Sequence, residues 1–415
     1  MNRLQKEALD QGLKLNEKLL AMADNAFDWL FLRETLIKSG LTPFDTVHAG
    51  DPMSLRYYPP PAESRIEMAD GSQVPVRHER HPVPLVLVPP LGVTTETFDL
   101  LPQRSLVRYM AARGYHVYLI DWGKPQKRHA GLGLKDYAID MFGEALAEVR
   151  RHSGVQDVSL MGWCMGGLLC LMHLGFTQDQ HIRNLITIAS PIDLRGGGMV
   201  ARAATVLNTP AKLVRKFSSL RLHMLDPIRL HAPGWLTTLA FKATDPVGSM
   251  TTYWDLLARL WDREFVESYS TTADYLNNML LYPGGVIQDM VVKMAIDNQL
   301  AAGRIEVRDR VADLTKIKAN MLVYAGTTDH LVPAQIARRI VDVVASQDKE
   351  FRIAPGGHMG VILGGGAQKN VWEPCAQWLD QRSQLVGGAK KADATAADAS
   401  LRRARRTRMA EDPTL

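Results

Sequence analysis

Two periodicities divide the chain. Through residues 2–37 the apolar positions Leu4, Ala8, Leu15, Leu19, Met22, Ala23, Phe27 and Leu30 recur at roughly i, i+3 and i+4, which predicts one long amphipathic helix. Ser39-Gly40, with Pro43 beyond, is a stop signal. Farther on the pattern changes to short, unbroken apolar runs: Pro84 to Val88, Gly114 to Ile120, Val158 to Met161, Ile182 to Ala189 and Ala319 to Ala325. A run without alternation is expected of a strand covered on both faces. Glu350 to Ile353 is a shorter, weaker strand. Helix-like stretches separate these runs, over Leu101 to Arg113, Leu134 to His152, Leu168 to Gly175, Pro333 to Ala345 and Gln368 to Arg382. Strand and helix in alternation predict a mostly parallel sheet with helices on both sides. Before it, residues 44–82 read as short strand pieces and turns, Ser54 to Tyr58 among them, with a hairpin signal at Asp70-Gly71.

The rhythm breaks from about Arg195 to Leu300. That segment is rich in Leu, Met and Trp and shows helical patches over Tyr253 to Trp261, Thr271 to Leu281 and Gly285 to Leu300, but no buried strand. A long insertion after a sheet strand reads as a helical cap. The expected organisation is an N-terminal amphipathic helix in 1–40, an α/β core in 41–385 with its cap at about 195–300, and a tail in 386–415. The tail is built of Ala, Asp, Lys and Arg and ends near Arg402-Arg403-Ala-Arg405-Arg406. Such composition cannot bury a core. Its basic run reads as a solvated tail, with adhesion to an anionic partner, nucleic acid included, as the alternative. The helix in 1–40 docks on its own domain or offers Phe27, Trp29, Leu30 and Phe31 to a partner or lipid surface.

Composition changes this picture little. The 415 residues are 46% hydrophobic and 22% charged, with a formal net charge of +5, which is ordinary for a globular protein and gives no reason to expect nucleic acid as the main ligand. Three cysteines, Cys164, Cys170 and Cys375, make no disulfide framework and stand in no metal-ligand spacing. The expectation is a cytoplasmic protein without metal or cofactor. The N-terminus lacks the apolar core of a signal peptide, and no run approaches the roughly 18 apolar residues needed to cross a bilayer.

The chemistry gathers at Gly162-Trp163-Cys164-Met165-Gly166-Gly167. Strand, Gly-x-Cys-x-Gly turn and small-residue helix make the pattern of a nucleophile elbow with Cys in place of Ser. A helix starting there turns its N–H groups and positive end toward the sulfur, which favours thiolate. Alone, the box is equally well explained as a structural Cys in a Gly-rich turn. The rest of the chain decides. An α/β-hydrolase sheet presents nucleophile, acid and His in that order, each after a strand. Asp329 follows the strand ending at Ala325, and His358 follows the strand ending at Ile353. Each has a plainer reading, a helix cap for Asp329 and a surface loop for His358, but the order makes coincidence a poor account. The oxyanion hole is expected from the Met165 N–H and one N–H among Leu91, Gly92 and Val93, since Pro89 and Pro90 have none. A Cys nucleophile suits exchange with a thioester, which is close to thermoneutral. A hydroxyl acceptor then draws the acyl group downhill into an ester, provided that water is kept out.

At these residues the chain resembles the polyhydroxyalkanoate synthases. The likeness runs over about residues 42 to 382 and includes Val88-Pro-Pro90, Leu119-Ile-Asp-Trp-Gly123, the Cys164 box, Ser190-Pro-Ile-Asp193, Asn298-Gln-Leu300, Thr328-Asp-His-Leu-Val-Pro333 and Gly356-Gly-His-Met-Gly360. The resemblance implies an α/β-hydrolase fold with a cap, and polymerisation of (R)-3-hydroxyacyl-CoA into polyester with release of CoA. It implies Cys164 as nucleophile and acyl carrier, His358 as base, Asp329 as acid, and His330 in a supporting place. The partners it implies are acyl-CoA, the growing polyester, its granule surface, and an accessory synthase subunit or second copy, because Thr42-Pro43 and the short stretch before the core resemble the short synthases. Two competing readings remain: a Cys esterase, thioesterase or depolymerase, and a non-catalytic granule scaffold.

Overall fold

The computed structural model describes residues 3–196, 226–230, 232–243, 253–307 and 309–383. The tail in 386–415 and parts of the cap segment therefore lie outside the described residues. Eight strands form the central sheet: β1 (Asp45–Ala49), β2 (Ser54–Tyr58), β3 (Leu85–Val88), β4 (Val117–Asp121), β5 (Val158–Trp163), β6 (Ile182–Ile188), β7 (Asn320–Gly326) and β8 (Lys349–Ala354). Their order across the sheet is β1-β2-β4-β3-β5-β6-β7-β8. β1 pairs with β2, and β2 with β4, antiparallel; every other pairing is parallel. The mostly parallel sheet expected from the runs is present.

Alternate residues of the unbroken apolar runs serve different cores. In β3, Val86 and Val88 join one core while Leu85 and Leu87 join the other, and β7 divides in the same way, with Met321, Val323 and Ala325 against Leu322 and Tyr324. Helices α3 (Phe142–Ser153), α4 (Met165–Thr177) and α6 (Ala334–Val343) cover the first face. Helices α2 (Leu106–Ala112) and α7 (Glu373–Asp380), with the short turn Gly360–Leu363, cover the second. Full burial of each Val or Leu contributes about 1.5–3 kcal/mol, which is why these strands carry no polar alternation.

Several boundaries differ from the sequence expectation. α2 begins at Leu106 because Asp99–Leu101 folds back on Arg104–Ser105 around Pro102, and the Ser105 hydroxyl caps the helix by accepting from Arg108 N at 3.1 Å. The N-terminal helix α1 (Arg3–Phe31) stops at Phe31, and a 3-10 turn, Arg33–Leu36, completes the segment. A hairpin, Arg304–Val307 with Arg310–Asp313, precedes β7 and was not anticipated. Its alternation of charged and apolar residues is short, and it pairs only with itself.

The cap leaves the sheet after β6 and returns before that hairpin. Its described parts are helical: Pro227–Leu230, Gly234–Ala243, α5 (Arg263–Asn277), and Gly284–Asp289 continued by a π-helical stretch, Met290–Ile296. The two ends are joined. Asn298, at φ 51°, donates from Nδ2 to Asp193 Oδ1 at 2.8 Å and accepts at Oδ1 from Leu194 N at 3.0 Å, while Arg195 reaches the Ile296 carbonyl. α1 docks on the cap, not on the sheet. Asn25 donates to the Leu260 carbonyl at 2.8 Å, Arg263 pairs with Asp28, and Leu36, Leu256 and Val266 share a small core. Of the apolar positions that marked α1 in the sequence, Leu15, Leu19, Phe27 and Leu30 are exposed.

The neck of the cap is open to a direct test. Asn298→Ala removes both side-chain bonds and places Ala in the left-handed region, so urea denaturation should show a loss of roughly 1–3 kcal/mol. Asn298→Gly, which relaxes the backbone, should lose less.

Candidate active site

Every residue of β5 is buried, and the strand runs straight into Cys164, which takes φ 51° and ψ −119°. A non-glycine residue at positive φ costs about 1–3 kcal/mol and persists only where its surroundings over-determine it. Here they do. Cys164 N donates to the Ile188 carbonyl at 2.8 Å, fixing the turn to the end of β6. A side chain at Gly162 would strike the backbone of Gly166 and Gly167, and one at Gly166 would strike the Val88 carbonyl. Strand, turn and helix therefore cross at backbone distance. Cys164 stands at the N-cap of α4, half-buried, with the unbonded N–H groups of the first helical turn, Met165 among them, directly after it.

Asp329 and His358 come to this point from the loops after β7 and β8. The loops after β7 and β8 are tied by Thr327 N to the Ala354 carbonyl at 2.9 Å and Thr328 N to the Gly356 carbonyl at 3.1 Å. Asp329 and His358 are 5% and 6% exposed, so the pair is closed to bulk water. His358 Nδ1 meets Asp329 Oδ2 at 2.8 Å. The other carboxylate oxygen, Oδ1, accepts from Leu331 N at 2.9 Å and Val332 N at 2.7 Å. Asp329 thus bonds the turn before α6 and the imidazole at once. The other side of the loop is held by Trp163, whose indole Nε1 donates to the His358 carbonyl at 3.3 Å while its ring lies 5.3 Å from the imidazole. Trp163 was part of the Cys box in the sequence, but its bond to a residue 195 positions away has no local signal.

Burial opposes a charge on His358. The charge of Cys164 and its hydrogen bond, together with Asp329, outweigh burial and raise the imidazole from its ordinary 6.5 to about 10. His358 thus interacts with Cys164 on one side and Asp329 on the other, and the structure brings all three sequence candidates together. His330 is exposed and takes no part in the Asp329–His358 bond.

The loop after β3 adjoins the same place. Leu91 and Val93 are buried, and Gly92 has φ +82°. The cap lies on this loop: Leu280 N donates to the Gly92 carbonyl at 2.8 Å, the Tyr282 hydroxyl donates to the Leu91 carbonyl, and Tyr275 is hydrogen-bonded to Thr97. Sequence reasoning missed both tyrosines, since their partners lie in another part of the chain. Among the described residues no group of three or more His, Cys, Asp or Glu could hold a metal ion, and no helix is long and apolar enough to cross a membrane.

The family model for the alpha/beta hydrolase fold matches residues 84–365. The chain is similar to the poly(3-hydroxyalkanoate) polymerase subunit PhaC of Haloferax mediterranei, 26% identical over 92% of this chain and 71% of the relative. It is similar also to the subunit of that name from Haloarcula marismortui, 27% identical over 83% of this chain and 69% of the relative, and to that from Allochromatium vinosum, 26% identical over 92% of this chain and 98% of the relative.

A raised imidazole pKa carries a signed consequence. The contribution of the charged His358 to stability is present in full below about pH 6.5 and is lost as the pH rises through about 10. The difference in Tm between the protein and its His358→Gln variant, followed by scanning fluorimetry, should therefore narrow across that window. A constant difference would contradict the pairing.

Proposed function

This chain belongs to the α/β-hydrolase fold family, and within it, we propose, it is an acyltransferase that polymerises (R)-3-hydroxyacyl-CoA into polyester through a thioester on Cys164. The observation that carries the reading is the coupling of a cysteine at a strained elbow to a buried His358–Asp329 pair. The likeness to three poly(3-hydroxyalkanoate) polymerase subunits supports the polymer as product. No bound metal or cofactor enters the proposed cycle; acyl-CoA is a substrate.

The proposed cycle balances its protons within the site. The Cys164 thiolate, held beside the His358 imidazolium, attacks the acyl carbonyl. The oxyanion is received by the Met165 N–H and by an N–H of Leu91, Gly92 or Val93. The C–S bond to CoA breaks, and the departing sulfur takes the proton from His358. Neutral His358 then accepts the proton of the 3-hydroxyl of another unit as that oxygen attacks the Cys164 thioester. The ester forms, and thiolate and imidazolium are restored. Asp329 keeps the imidazole oriented through both transfers.

Cysteine fits this acceptor chemistry. Exchange between thioesters is nearly neutral in free energy, so the acyl group on Cys164 keeps the drive it needs to form an oxygen ester. Water would spend the same drive, and the cap that lies on the β3 loop supports its exclusion. The partners that fit are the growing polyester and its granule surface, with an accessory subunit or a second copy of the chain. The exposed Leu15, Leu19, Phe27 and Leu30 of α1 support an apolar contact of that kind, and a cytoplasmic site follows from the CoA substrate.

Incubation with (R)-3-hydroxybutyryl-CoA tests the reading: CoA release should accompany insoluble polyester. Release of CoA with only free 3-hydroxybutyrate would make the protein a thioesterase. Cys164→Ala should abolish CoA release, and His358→Gln should lower kcat by roughly 10²–10⁴. Retention of wild-type turnover by Cys164→Ala would remove the nucleophile from the proposal, whereas a parent protein that releases no CoA would leave the scaffold reading.

A further inference from the structure

The contacts between the cap and the β3 loop are placed at its two ends. Tyr275, at the end of α5, is hydrogen-bonded to Thr97 in a buried position. Seven residues later Tyr282 donates its hydroxyl to the Leu91 carbonyl, and Leu280 N holds the Gly92 carbonyl at 2.8 Å. The Tyr282 ring lies on Gly92 so closely that a Cβ there would overlap it. Tyr282 is itself fixed, since Ala232 N donates to its carbonyl at 3.2 Å and Tyr282 N donates to the Ala232 carbonyl at 3.0 Å.

These bonds constrain the N–H groups that the loop offers. A trans peptide points its C=O and the following N–H in opposite directions. With the Leu91 carbonyl turned to Tyr282 and the Gly92 carbonyl turned to Leu280, the N–H groups of Gly92 and Val93 are aimed away from the cap segment. Among the described residues the Gly92 N–H, whose peptide is fixed by the Leu91 carbonyl, makes no backbone hydrogen bond, so it is available as a donor. The loop also stays next to the nucleophile, because the Val88 carbonyl, three residues before Leu91, packs directly on Gly166. Burial first, and then Cys164 and Tyr275, push the Tyr282 hydroxyl above its ordinary range; it remains a neutral donor at working pH.

We propose that Tyr282 is a positioning residue for the oxyanion hole: through the Leu91 carbonyl and the surface of Gly92 it sets the donors of the β3 loop, so that the hole is complete only while this part of the cap is seated on the loop. The inference rests on the acyl-transfer reading of Cys164 and adds a role for the cap beyond exclusion of water. The cap then acts on the chemical step, and a substrate that unseats the 279–285 segment loses oxyanion stabilisation.

Tyr282→Phe keeps the ring against Gly92 and removes only the hydroxyl. With (R)-3-hydroxybutyryl-CoA, its kcat for CoA release should fall roughly tenfold to hundredfold, short of the loss on removing an oxyanion donor outright, while KM stays within about twofold. Alkylation of Cys164 by iodoacetamide proceeds at a saturated carbon and needs no oxyanion hole; its rate should be unchanged, and so should Tm. Wild-type kcat in Tyr282→Phe would overturn the proposal. A parallel loss of kcat, alkylation and Tm would also overturn it, since that marks a structural role. If the parent protein releases no CoA, the polymerase reading fails, and acylation of Cys164 by p-nitrophenyl acetate then judges Tyr282 by itself: slower p-nitrophenolate release in the variant supports the positioning role, and equal release ends it.

Discussion

The site depends on one close crossing of backbones. β5, the Cys164 turn and α4 pass one another and the end of β3 with no room for side chains at Gly162 or Gly166. This forces Cys164 to positive φ, lifts its side chain out of the sheet, and places the first turn of α4 beside the sulfur. The cost of the strained residue is met by the bond from Cys164 N to Ile188 and by the two cores on which β5 is clamped. The same crossing brings the β3 loop next to Cys164. The Cys164 turn, the start of α4 and the position of the β3 loop are therefore consequences of one steric arrangement, not three separate placements.

Around that point, charge is organised by burial. Asp329 and His358 lie out of bulk water, yet each polar atom of the Asp329 carboxylate has a donor. A buried carboxylate so engaged stays oriented, and an imidazole between it and Cys164 is drawn toward its charged form despite desolvation. Sequence-distant residues complete the enclosure. Trp163 holds the His358 loop from below, and the cap tyrosines hold the β3 loop from above.

Much of this was legible in the sequence, for identifiable reasons. Unbroken apolar runs announced β3 to β7, because strands covered on both faces leave no polar alternation to confuse with a helix. The order of Cys164, Asp329 and His358, each after a strand, announced that the three would meet, because a parallel sheet delivers its loops to one edge. The failures were of two physical kinds. Tertiary pairing overrode local pattern where Asp99–Leu101 folded onto Arg104–Ser105 and shortened α2, and where the Arg304–Asp313 hairpin paired with itself. Contacts across long separations, those of Trp163, Tyr275 and Tyr282, leave no periodic trace at all. The apolar stripe of α1 predicted a helix correctly but not its burial, since a period of 3.6 records which residues share a face and not what covers that face.

The neck formed by Asp193, Leu194, Arg195, Ile296 and Asn298 has a further meaning. It makes the cap a closed loop whose ends meet at a single point on the sheet. Closing a loop costs free energy only as the logarithm of its length, about 0.6 kcal/mol for each doubling. An insertion gathered at such a neck thus costs the sheet that bears it little: β6 and β7 can pair as neighbours whatever lies between them, and the insertion can change in size and shape while the strands and the crossing at Cys164 stay as they are.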